Sequence, residues 1–147
     1  MSDAPDTFGG ARLIFAHKHP TSARLRFVRF EHGMCGFTPF PAAASLCPDE
    51  EVPESPVVTL PSVHLAEAER RLGLPSGGLK IEPEFRQCVD VGEACVEVHL
   101  AMFTAMDPPF EAIAGAGGRF VAITEARGCA QIELELLRKA YEAVLGG

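Results

Sequence analysis

Three groups of residues carry side chains able to do chemistry. Cys88 and Cys95 close two alternating runs, Leu79 to Val89 and Ala94 to Thr104, around Asp90-Val91-Gly92-Glu93. If Val89 pairs with Ala94, the two thiols stand directly opposite each other, with Arg86 facing Glu97 and Glu84 facing His99. Cross-strand Cβ atoms lie about 4.5–5.5 Å apart, against about 3.8 Å in a disulfide, so a bond there would strain the sheet and break easily, as a redox switch does. Cys129, between Arg127-Gly128 and the last apolar-periodic stretch, is placed at a helix start, where backbone amides and positive charge favour a reactive thiolate. The plainer role for Cys88 and Cys95 is that of small hydrophobes, and for Cys129 that of a non-catalytic residue at a helix start.

The second group is His32, Cys35 and Cys47, which offer zinc an imidazole and two thiolates, and with Met34 a softer set for copper(I). A closed zinc site needs a fourth ligand from His17, His19, His64 or elsewhere, and the close second pair typical of such sites is missing from the sequence. The third group is Arg24, Arg26 and Arg29. Alternation puts Arg24 and Arg26 on one strand face, where they could clamp a phosphate or carboxylate or dock an acidic partner. Residues 1–30 hold five basic and two acidic residues, whereas 31–69 hold seven acidic residues and neither lysine nor arginine. The acidic stretch could equally neutralise the basic one within the molecule.

Familiar catalytic signatures are absent from the sequence. Gly115-Ala116-Gly117-Gly118 precedes a strand and lacks the Gly-Lys-Ser/Thr of a phosphate loop, and there is no Gly-x-Ser-x-Gly, His-Glu-x-x-His or Cys-x-x-Cys. Glu82 and Glu84 share a strand face, but alternate with Lys80 and Arg86 as a solvated face does.

These residues must be positioned by a small number of elements. Ala11 to His17 and Ala23 to Phe30 are expected to form an antiparallel hairpin around Pro20-Thr21-Ser22. A proline-rich, acidic loop follows at about 33–61, with edge strands conceivable around Val57-Val58-Thr59-Leu60. Ser62 starts a helix over 63–72 that Gly73 and Pro75 end. Asp107 caps a short helix with Pro108 in its first turn, and Arg119 to Thr124 makes a strand. A helix over 130–145 buries Ile132, Leu136, Leu137, Ala140, Tyr141 and Val144. The order predicts one α+β domain over 1–147, with a mainly antiparallel sheet of about five strands and two principal helices packed on one face.

With 147 residues, 47% of them hydrophobic, the chain can bury its own core, which argues against disorder. A net charge of -7 opposes indiscriminate nucleic-acid binding, no apolar run reaches the ~18 residues of a membrane span, and the start lacks the basic character of an export signal. Five cysteines, an odd number, suit reduced thiols in the cytoplasm. The expectation is a small cytoplasmic accessory or regulatory protein, not an enzyme, that binds a protein partner or small anionic ligand through Arg24, Arg26 and Arg29 and the long loop. Self-association is left open and no cofactor is named. The rival expectation is a thiol-dependent redox or metal-binding protein, with or without catalysis.

Overall fold

Leu13, Ile14, Phe15 and Ala16 are consecutive in sequence and all fully buried. A strand sends successive side chains to opposite faces, so such a run requires cover on both sides of its sheet. The computed structural model, which describes residues 11–30, 45–46, 61–85, 87–90, 95–126, 128 and 131–145, shows that arrangement. The strand segments are β1 (Ala11–Lys18), β2 (Leu25–Phe30), β3 (Ser45–Leu46), β4 (Leu79–Ile81), β5 (Gln87–Asp90), β6 (Cys95–Phe103) and β7 (Gly118–Val121). The helices are α1 (Pro61–Leu72), α2 (Phe110–Gly115) and α3 (Gln131–Leu145). The fold is α+β.

The strand order is β3-β5-β6-β1-β2-β7, with β4 pairing with β6 beside β5. Seven segments thus fill six positions. All neighbours are antiparallel except the central pair β1 and β6, which run parallel with Ala11 opposite Glu97 and Ala16 opposite Met102. The sheet is therefore mixed, where a mainly antiparallel one of about five strands was expected. Helices cover both faces, where one covered face was expected. On one side Ile132, Leu136, Leu137 and Ala140 of α3 pack against Ile14, Phe27, Val98 and Leu100. On the other, Ala68 and Leu72 of α1 and Ile113 of α2 pack against Leu13, Phe15, Val28, Ala101 and Phe103. Each large side chain so buried contributes about 1.5–3 kcal/mol. Tyr141, assigned to the buried stripe from sequence, is 41% exposed.

The β1–β2 hairpin forms as expected, with Ala16 opposite Phe27. In its turn the His19 amide donates to Arg24 O at 2.9 Å and the Ala23 amide to His19 O at 2.8 Å. The Nδ1 of His19 accepts from the amides of Thr21 and Ser22 at 3.1 and 3.3 Å. Such bonds satisfy turn amides that no ladder reaches.

The run Leu79 to Val89 is broken. Leu79 pairs with Phe103 and Ile81 with Ala101, but Gln87 pairs with Val98, so six steps along this chain match three along β6. Pro83 causes the break: it has no N–H for a ladder. Around it the Glu84 amide donates to Glu82 Oε2 at 3.1 Å and the Phe85 amide to Glu82 O at 3.2 Å. The excess residues leave as a turn, and β5 resumes in a register of its own.

α1 ends at Gly73, whose φ of 71° suits glycine, with Gly73 N to Arg70 O at 3.3 Å and Leu74 N to Glu69 O at 2.8 Å. The Glu69 carboxylate, buried, accepts the amides of Gly77 and Leu79 at 3.1 Å each, tying α1 to β4. α2 begins at Phe110 rather than at Pro108, and β7 gives way after Val121 to a 3₁₀ turn over Ile123–Glu125. Within the expected long loop, Ser45 and Leu46 form an edge strand against Asp90 and Val89. The strands conceived around 57–60 lie outside the described residues.

Candidate functional site

The three arginines proposed from sequence do not form one surface. Arg24 precedes β2 and sits exposed in the turn. Arg26 alternates with Leu25 and Phe27 onto the α1/α2 side, where its guanidinium carbon lies 5.8 Å from the centre of the Phe110 ring. Arg29 falls on the α3 side and donates through a terminal guanidinium nitrogen to the Glu125 carbonyl at 3.0 Å. Arg26 and Arg29 thus fall on opposite faces, and Arg29 enters a different juxtaposition.

That juxtaposition is Arg29 with Arg119. β2 and β7 pair antiparallel with Phe27 opposite Val121, Val28 opposite Phe120, Arg29 opposite Arg119 and Phe30 opposite Gly118. Directly opposed residues share a face with Cβ atoms about 4.5–5.5 Å apart, and like charges so placed repel. The Glu125 carboxylate accepts the Ala122 amide at 2.7 Å and closes its own 3₁₀ turn. Among the described residues Arg119 makes no ion pair. The two arginines, with Phe30, Gly117 and Gly118, line an open cleft of about 340 Å³.

The glycines shape this edge. Gly117 has a φ of 86°, which turns the chain from α2 into β7. A Cβ on Gly118 would lie 3.0 Å from the Phe30 ring and 3.1 Å from Ile113 Cγ2, so β7 approaches β2 and α2 closely only because Gly118 has no side chain. The sequence showed this glycine run without its purpose. It also contained Arg119, but strand pairing between β2 and β7 was needed to set it against Arg29.

The thiol group has a different geometry. Cys88 is opposite Glu97, and Asp90 is opposite Cys95, so the expected register is off by two residues and the two cysteines are diagonal neighbours. The expected Glu84–His99 contact is lost to the Pro83 turn. His99 instead has its Nε2 3.4 Å from Glu97 Oε1, on the same strand. Cys88 is a fully buried thiol. A carboxylate across the ladder works against the negative charge of a reactive thiolate, and burial works in the same direction. Cys129 and the metal candidates His32, Cys35 and Cys47 lie outside the described residues.

Of the proposed additional zinc ligands, His17 is fully buried with its Nε2 donating to the Ala105 carbonyl at 2.9 Å. His19 spends Nδ1 on the turn and places Nε2 3.4 Å from the exposed Asp107 carboxylate. Among the described residues no three His, Cys, Asp or Glu side chains are grouped to hold a metal ion, and no helix is long and apolar enough to cross a membrane. Compared with protein-family models and with curated proteins, the chain matches none.

Proposed function

We propose that this chain is a non-catalytic accessory protein of the cytoplasm that holds an anionic group, on a protein partner or a small ligand, between Arg29 and Arg119. The supporting observation is their direct opposition beside a cleft in which, among the described residues, no acidic side chain takes part. A carboxylate or phosphate placed there is attracted by both guanidinium groups, which match either anion in planar, two-point contacts. Arginine keeps its proton throughout the physiological range, so the two guanidinium groups suit anion binding.

The test is calorimetric titration of the whole chain with inorganic phosphate, citrate and a short acidic peptide, repeated on Arg29→Glu with Arg119→Glu. Binding by at least one of these anions that disappears in the double variant, with an unchanged melting transition, supports the reading. Binding that survives the double variant, or that disappears with Arg24→Glu and Arg26→Glu instead, removes this edge from the function.

A further inference from the structure

One member of the cationic pair, Arg119, lies on an outer strand, and that strand has two unlike faces. β7 ends the sheet: β2 pairs with one of its edges, and among the described residues no strand pairs with the other. Such an edge presents backbone donors and acceptors ready for another strand. Toward α3 it carries Arg119 beside Arg29. Toward α2 it carries Phe120, half-buried, whose ring packs edge-on against Phe110 at 5.4 Å and Phe103 at 5.5 Å between centroids. Phe110 is itself 54% exposed, and nearby Met106 is 66% exposed. Arginine, phenylalanine and methionine are the residue types that interfaces favour.

We propose that β7 is a docking strand, whose outer edge receives an extended segment of a protein partner in which acidic and apolar residues alternate. This rests on the anion-binding reading above and names its partner. In an added strand, the residue beside Arg119 faces the same side as the arginines and the residue beside Phe120 faces the aromatic side. An acidic side chain therefore meets Arg29 and Arg119 while its apolar neighbour covers Phe120 and Phe110. β7 has four residues, so the matching segment spans four or five. A second copy of the chain fits poorly: adding β7 to β7 would bring four arginines together, with no acidic residue in either β7 to offset them.

The probe is a fluorescent peptide of about eight residues with alternating glutamate and valine, which suits strand addition. It is compared with its N-methylated analogue and with a lysine-for-glutamate version. The whole chain is expected to bind the first. N-methylation should weaken binding at least about tenfold by removing backbone donors, the lysine version should not bind, and Arg119→Glu should cost at least about tenfold. Hydrogen exchange at the amides of Arg119, Phe120 and Val121 should slow in the complex. Equal binding of the N-methylated peptide, or exchange slowed elsewhere and not in β7, overturns strand addition. Exchange protection of β7 that rises with protein concentration in the absence of peptide overturns it in favour of self-association. If phosphate or citrate binds and is lost in the double arginine variant while the peptide does not bind, the docking strand fails and the anion reading stands; if no acidic probe binds, both fail.

Discussion

The corner between α1 and β4 and the edge between β2 and β7 both place charged side chains beside backbone, with opposite outcomes. At the corner, one buried carboxylate accepts two amides, and the charge is used up in holding a helix to a strand. At the edge, two guanidinium-bearing residues face each other across a ladder next to an open cleft. Charge-assisted hydrogen bonds of the first kind contribute about 1.5–3 kcal/mol each to stability. Opposed like charges of the second kind cost stability, about 0.2–1 kcal/mol. The fold uses Glu69 for itself, whereas Arg119 makes no ion pair among the described residues.

Substitutions should separate the two regions. The largest stability effect is expected for Glu69→Ala, which strands two amides and should lower unfolding free energy by about 2–4 kcal/mol in chemical denaturation while anion binding is retained. Gly118→Ala comes next: the added methyl forces β7 away from Phe30 and Ile113, at a cost of about 1–3 kcal/mol, and anion binding should weaken with the displaced edge. Cys88→Ser puts a hydroxyl where a buried thiol stands and should cost about 1–2 kcal/mol with no change in anion affinity, which separates packing from thiol function. Arg119→Ala should leave stability within about 0.5 kcal/mol or raise it slightly, yet weaken anion binding about tenfold. A loss of stability on that change would mean the arginine is built into the fold.

The smallest effect concerns a charge pair confined to one helix. Glu67 is held below its ordinary value of 4.5 chiefly by its hydrogen bond to Arg70, with Arg71 adding a contact at 3.3 Å. A carboxyl whose folded value is depressed stabilises the fold above its unfolded value, and that contribution disappears as pH falls through the lower folded value. The Glu67 carboxyl resonance should therefore titrate below 4.5 in the folded chain, and Arg70→Gln should return it toward 4.5 with little change in melting at neutral pH.

What was legible in the sequence follows the same division between local and long-range causes. The β1–β2 hairpin, the glycine stop of α1 and the buried stripe of α3 depend on neighbours a few residues apart, and they were readable. The parallel pairing of β1 with β6 was not, although Leu13-Ile14-Phe15-Ala16 carried its signal: four consecutive apolar residues suit a strand covered on both faces. Pro83 was equally visible, and its missing donor breaks the run between β4 and β5; β5 pairs with β6 two residues away from the register that would set Cys88 opposite Cys95. The candidate site was half legible. Arg29 was identified from charge segregation and grouped with Arg24 and Arg26 on the hairpin, but Arg119 is brought to it only by the β2–β7 pairing ninety residues apart in sequence.

The most direct measurement is an NMR titration of the guanidinium Nε–H resonances with the acidic–apolar peptide at low salt. Saturable shifts at Arg29 and Arg119, with Gly117 and Gly118 amides following and salt reversing them, are the predicted result. Shifts confined to Arg24 and Arg26, or none at any arginine, would contradict the assignment of this edge as the binding surface.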